Sequence, residues 1–265
     1  MEPRNLFDSW TTFAHALRGV HVCILSDYDG TLAPPASGPE TVRIPSDTWK
    51  QLQRLSTLKR VTLGFLSGRS VSDLRGLVQI ENAWYAGLHG HEIRNPLGLE
   101  RRWYTRKEVR GVAGLADRLE QELGPVRGVR IERRGGGMLV DYGHVDADRV
   151  RDVQDSVLRN WKAQGQGLRL LPTASRLEIL PSENRTKGTA VRFILGKIRA
   201  RVCPVYFGDD RSDLEAFRAV HESGIAIGVG VVSSPHLHYR VPDPESVGKA
   251  LHRIADLLGS KAERP

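Results

Sequence analysis

Ser26-Asp27-Tyr28-Asp29-Gly30-Thr31-Leu32 is the stretch that decides how this chain folds. It follows the apolar run Val22-Cys23-Ile24-Leu25, whose composition predicts a buried strand. Two carboxylates two residues apart at a strand's end leave toward the same edge. Gly30 then lets the chain turn sharply away. In open α/β sheets, ligands bind beyond such strand ends. Carboxylates this close repel each other's charge, so the pair calls for a cation or a shared proton. A bare Asp-x-Asp would be only an acidic turn, so the reading depends on what other strand ends carry.

Two further strands end in groups of the same kind. Val61-Thr62-Leu63-Gly64-Phe65-Leu66 runs into Ser67-Gly68-Arg69, and a helix follows through Val71, Leu74 and Leu77. A hydroxyl, a glycine and free backbone N–H groups at a helix start form an anion site. Val205-Tyr206-Phe207 predicts another strand, ending in Gly208-Asp209-Asp210-Arg211-Ser212-Asp213. Lys187-Gly188 opens a helix through Val191, Ile194, Leu195 and Ile198. In a parallel sheet all strand C-termini share one edge, so these groups converge although they span most of the chain. Clustered carboxylates form an oxygen-rich site suited to Mg²⁺. Lys187 and Ser67 offset charge on a transferring phosphoryl group.

The remaining segments carry weaker signals. Leu6, Phe7, Trp10, Phe13, Ala14 and Leu17 fall at helical spacing and predict a helix against the core. A proline-rich polar loop is expected from Ala33 to Pro45, followed by a helix with Ser46 as N-cap. His89 and His91 have metal-ligand spacing, but no cysteine or third histidine stands near. A substrate-facing His89 and a solvated His91 are the expectation. Cys23 and Cys203 lie in or beside apolar runs and read as buried, reduced thiols rather than a disulfide or a zinc site.

From about residue 95 to 181 the β-α alternation is interrupted. Helical spacing over 106–123 and 146–163 alternates with strand pairs at 129–133 and 138–142, then at 168–171 and 177–180. The order α-β-β-α-β-β predicts a self-contained α+β layer inserted into an α/β core made of residues 1–94 and 182–265.

With 265 residues the chain is long enough to bury a sizeable core in one domain or two. Its formal charge is +8, which attracts anions, yet no Lys/Arg run is interleaved with aromatics as a nucleic-acid groove would be. Small phosphorylated metabolites are the better match. No segment approaches the roughly 20 apolar residues of a bilayer span. Glu2 and Asp8 interrupt any leader-like pattern at the start. A cytoplasmic protein without membrane or nucleic-acid partners is expected, and nothing calls for more than a monomer.

Taken in order, Asp27-Tyr28-Asp29-Gly30-Thr31-Leu32, Leu66-Ser67-Gly68-Arg69, Gly87-Leu88-His89-Gly90, Leu177-Glu178-Ile179, Lys187-Gly188 and Gly208-Asp209-Asp210-Arg211-Ser212-Asp213 resemble the motifs of the trehalose-6-phosphate phosphatase family. That family belongs to the haloacid dehalogenase-like (HAD) hydrolases, and the similarity covers roughly residues 20–258. It implies a HAD-like Rossmannoid core with a parallel sheet, and a cap over 95–181 that closes on the core. It implies Asp27 as the nucleophile that forms an aspartyl-phosphate, and Asp29 as the acid and then the base. Ser67 and Lys187 would hold phosphate. Asp27, the Asp29 backbone carbonyl and Asp209 would bind Mg²⁺, with Asp210 and Asp213 in the same acidic group and Asp213 in support. Arg69, His89, Glu132, Arg134 and Glu178 would contact substrate. The implied reaction converts trehalose 6-phosphate to trehalose and phosphate. Asp141 and Gly143 stand where the family carries His and Arg, and Leu214 where it carries a carboxylate. Another glycosyl phosphate, such as a glucosylglycerol or sucrose phosphate, therefore stays open, as do a phosphomutase and a non-catalytic sugar-phosphate sensor.

Overall fold

The computed structural model describes residues 2–35, 42–165, 167–173, 175–198 and 200–260. The expected loop at 33–45 thus lies partly, at 36–41, outside the described residues. The elements in chain order are β1 (Arg4–Asn5), α1 (Trp10–Leu17), β2 (His21–Asp27), α2 (Ser46–Ser56), β3 (Val61–Leu66), α3 (Val71–Val78), β4 (Trp84–Gly87), β5 (Glu92–Arg94) and β6 (Glu100–Arg102). There follow α4 (Arg106–Leu123), β7 (Arg130–Arg133), β8 (Met138–Asp141), α5 (Val150–Gln164), β9 (Leu168–Pro172) and β10 (Arg176–Pro181). The chain ends with α6 (Lys187–Leu195), β11 (Val202–Gly208), α7 (Leu214–His221), β12 (Ile225–Val229), β13 (Tyr239–Val241) and α8 (Pro244–Gly259). Two compact units result, Met1–Arg101 with Arg185–Pro265, and Arg102–Asn184.

The first unit is built on a sheet of order β1-β13-β12-β11-β2-β3-β4-β5-β6. Pairing is parallel from β1 through β4, and β5 turns back antiparallel to β4. This is the α/β fold expected from the strand–helix alternation. Val22, Ile24, Phe65, Val205, Phe207 and Ile227 face a buried layer that takes in Leu52, Leu55, Leu74, Leu251 and Ile254 from the helices. The helix starts are fixed by local side chains. Ser70 caps α3 by accepting from the Asp73 N–H, and Asp243 caps α8, which has Pro244 in its first turn. Thr186 and Thr189 cap α6 reciprocally.

Some boundaries differ from expectation. Pro45, not Ser46, is the N-cap of α2, and no side chain caps it; Ser46 is already helical. The pre-set φ of proline suits either place, and the hydroxyl of Ser46 misled the reading. β1, β5, β6 and β13 are two or three residues long. So short a run has no alternation to detect.

The second unit holds a four-stranded antiparallel sheet of order β7-β8-β10-β9. Met138, Val140, Leu177 and Ile179 cover one face against Val112, Leu115 and Leu119 of α4 and Val153 and Val157 of α5. α4 begins in a Thr105–Glu108 capping box. The β7–β8 turn is closed by the Arg134 N–H on the Gly137 carbonyl at 2.8 Å. There Gly135 takes φ +69°, a backbone region glycine enters without strain.

Candidate active site

Register brings the motifs level. Asp27 of β2 pairs with Leu66 of β3, so Ser67 is the next residue beyond the edge. Phe207 of β11 pairs with Ser26, so Gly208 and Asp209 follow at the height of Asp27 and Tyr28. Leu66 pairs with Ala86 of β4, and beyond it the His89 N–H donates to the Ser67 carbonyl at 3.0 Å. The Ser67 hydroxyl is buried and accepts from the Arg69 N–H at 3.1 Å.

The centre of the site is a chain of buried charges. Lys187, in the first turn of α6, donates to Asp27 Oδ1 at 2.7 Å and to Asp213 Oδ1 at 2.9 Å. Asp27, Lys187 and Asp213 are respectively 4%, 3% and 0% exposed. Burial pushes the Asp27 carboxyl well up, with Lys187 opposing it. Burial works to lower Lys187, but Asp213 and Asp27 outweigh it and keep the ammonium charged. Asp213 carries four donors. Oδ1 accepts from Lys187 and from the Tyr206 hydroxyl at 2.5 Å, and Oδ2 from the Asp209 and Asp210 N–H groups, each at 3.1 Å. With both oxygens so engaged, Asp213 braces the loop.

Asp209 is held by the Thr31 hydroxyl at 2.8 Å, and burial and Asp213 raise its carboxyl to about 6. Gly30 makes this approach feasible. A Cβ there would lie 2.1 Å from Asp209 Oδ2, and its φ is +87°. Asp29 turns elsewhere: both its oxygens are gripped by the Arg69 guanidinium, at 2.7 and 2.8 Å. Asp210 does not join the cluster among the described residues; its Oδ1 accepts from the Ser212 N–H and hydroxyl instead. Oxygens of Asp27, Asp209 and Asp213 lie within 4.8 Å of one another.

These residues fit a divalent cation. Two buried carboxylates pair with one ammonium and the half-buried Asp209 stands beside them, so when all are ionised two negative charges are left over. Burial first, and then the neighbouring carboxylates, push Asp27 and Asp209 up, and a cation there would relieve the second cause. An all-oxygen set with few protein donors matches Mg²⁺.

His89 and Leu88 adopt φ of +54° and +47°, which turns the chain sharply after β4. His91, expected in solvent, is fully buried, with Nδ1 at 2.6 Å from the Leu88 carbonyl. The tight turn folds its ring inward, which spacing alone does not reveal. Sequence reasoning also missed Glu92, whose buried carboxylate accepts from the Val71 N–H at the start of α3. It missed Tyr206 as well, although a hydroxyl inside an apolar strand was a usable signal.

In the second unit, Glu132 and Glu178 flank Leu139 across β7-β8-β10, on one face of the sheet. Arg134 lies 2.7 Å from Glu132 and 3.6 Å from Glu178. Arg130 is a further partner of Glu132 at 2.8 Å. Asp141 is engaged by Arg176 at 3.0 Å and by the Gly143 N–H at 2.9 Å.

A family model described as trehalose-phosphatase matches residues 25–243. Trehalose-phosphate phosphatase B of Arabidopsis thaliana is 27% identical over 271 residues, covering 95% of this chain and 70% of that protein. Trehalose-phosphate phosphatase of Mycobacterium avium is 32% identical over 214 residues, covering 78% of this chain. The chain spans about half (53%) of that mycobacterial relative's length. The structure of the C-terminal domain of the C. albicans trehalose-6-phosphate phosphatase superposes with a TM-score of 0.77 at 15% identity, covering 96% of this chain and 98% of that one. A trehalose-6-phosphate phosphatase related protein gives 0.73 at 22% identity, covering 89% and 97%. The structural likeness speaks for the fold, and the family match for descent. This chain belongs to the trehalose-phosphatase family, on the fold of the HAD-like hydrolases.

Proposed function

We propose that the protein is a Mg²⁺-dependent phosphatase that hydrolyses trehalose 6-phosphate to trehalose and phosphate. The observation that carries this reading is the buried Asp27–Lys187–Asp213 chain at the edge where Ser67 and Asp209 also arrive. An Asp27 carboxylate oxygen attacks phosphorus, and the bond from phosphorus to the sugar oxygen breaks. Asp29 gives its proton to that oxygen. Asp29, now a carboxylate, then takes a proton from water as the water oxygen attacks phosphorus. The bond to Asp27 breaks, phosphate leaves, and both aspartates are restored. Ser67 and Lys187 hold the phosphoryl oxygens. Asp29 must first be freed from Arg69, and the incoming phosphate is the competing anion that draws the guanidinium away. Asp27, Asp209 and the Asp29 backbone carbonyl would hold Mg²⁺, which would compensate charge on the phosphoryl group. Glu132, Arg134 and Glu178 serve the sugar hydroxyls, and His89 faces substrate.

On the same reading the protein acts in the cytoplasm on a small molecule. Among the described residues no helix is long and apolar enough to cross a membrane. A second reading, hydrolysis of another glycosyl phosphate, is favoured by Asp141, an anion tied to Arg176. Phosphate release measured on trehalose 6-phosphate, sucrose phosphate and glucosylglycerol phosphate, with Mg²⁺ and after exhaustive chelation, tests both. Release from trehalose 6-phosphate that stops on chelation is expected. Turnover confined to another ester selects the second reading, and no phosphate release from any ester leaves a mutase or a sensor.

A further inference from the structure

We propose that Tyr206 is a positioning residue for the phosphoryl transfer, acting through Asp213 on Lys187 and so on Asp27; the inference rests on the function proposed above. Tyr206 lies in the middle of β11 and is fully buried. Its neighbours Val205 and Phe207 point into the main apolar layer, where the strand's alternation sends Tyr206 to the opposite face. There its ring packs edge-on against Phe217 of α7, with centroids 5.7 Å apart.

Packing alone would be met by phenylalanine. A buried hydroxyl is costly unless it is bonded, and this one donates to Asp213 Oδ1 at 2.5 Å. That oxygen also receives Lys187 at 2.9 Å, and the same ammonium reaches Asp27 at 2.7 Å. The hydroxyl and the ammonium therefore share one acceptor and fix its direction. The other oxygen of Asp213 holds the Asp209 and Asp210 N–H groups. Rotation of this carboxylate would loosen the loop and the lysine together. In phosphoryl transfer the protein contributes chiefly placement and charge, so a displaced Lys187 costs rate.

Tyr206→Phe keeps the ring and removes only the hydroxyl. A fall in kcat of about 10-fold or more is expected on a sugar phosphate and on an aryl phosphate alike, with KM changed by less than about threefold. Tyr206→Phe added to Asp213→Asn is expected to cost nothing beyond Asp213→Asn alone, since residues acting as a unit are not additive. A crystal structure of Tyr206→Phe is expected to show the Asp213 carboxylate turned and Lys187 moved from Asp27. Wild-type kcat in Tyr206→Phe overturns the inference. So does a loss that multiplies fully with Asp213→Asn or only tracks a lowered melting temperature, and so does an unmoved Lys187. The wild-type enzyme reports separately on the function: if it releases no phosphate, that reading fails, and the position of Lys187 in the variant still decides the role of Tyr206.

Discussion

At the scale of single residues, the site works by putting more negative charge underground than it can neutralise alone. Asp27 and Asp213 share one ammonium and Asp209 has an oxygen within 4.8 Å of theirs, so each change of charge or shape there is felt by the others. Asp27→Asn keeps the shape and removes the proposed nucleophile. Turnover is expected to fall on the order of 10⁴-fold or more, with the fold intact by circular dichroism. Phosphate release above a trace, in protein checked by mass spectrometry for deamidation, would remove Asp27 from that role. Gly30→Ala probes the same charges through shape. A methyl group there would meet Asp209 Oδ2 at 2.1 Å, at a φ of +87° that alanine resists. The variant is expected to lose about 1–3 kcal/mol of stability. It should also bind Mg²⁺ at least tenfold more weakly by calorimetry. Unchanged Mg²⁺ affinity would mean that Asp209 is not among the ligands.

At the scale of elements, the termini of helices carry much of the order. Glu108 accepts from the Thr105 N–H at 2.7 Å and from the Ser182 N–H and hydroxyl at 3.0 and 2.8 Å, tying the start of α4 to the end of β10. Burial works against the charged form, but these donors prevail and hold the Glu108 carboxyl down at about 2. A carboxyl depressed on folding adds stability that is present above its unfolded value, near ~4.3, and is lost as pH falls through the folded one. Glu108→Gln is therefore expected to cost about 1 kcal/mol at pH 7. The gap to wild type should shrink as pH drops from 5 toward 2. Urea unfolding at pH 7 and pH 3 measures it, and a gap of the same size at both would sever the link between charge and cap. The elements most readable in the sequence were those with long periodic runs. α4 lies at 106–123 as its apolar spacing predicts, and β3 at 61–66. The site was legible because Asp-x-Asp-Gly-Thr, Ser-Gly-Arg and the second aspartate cluster each sit where an apolar run stops. Short strands such as β13 left no trace. Nor did the inward fold of His91, because a left-handed turn at Leu88-His89 has no sequence signature without glycine.

At the scale of the whole molecule, the two units carry separate apolar cores and different chemistry. The first gathers acids and a lysine at the edge of a parallel sheet, where the proposed function puts the phosphate ester. The second presents a sheet face on which Glu132, Arg134 and Glu178 alternate charge, and sugar hydroxyls both donate and accept. The proposed function assigns bond cleavage and recognition of the alcohol to different residues, and a variant can separate them. Glu178 is 9% exposed and has a salt-bridge partner in Arg134. A carboxyl at that depth, beside a guanidinium, serves hydroxyl recognition better than it serves packing. Glu178→Ala is expected to lower kcat/KM for the true sugar phosphate by about 10²-fold or more, because a polar site that loses one partner leaves others unpaired. Hydrolysis of a small aryl phosphate, which has no hydroxyls to hold, should change less than about threefold. Equal losses on both substrates would place the defect in folding or in the phosphate site. Wild-type kinetics on both would show that the alcohol is recognised by other residues.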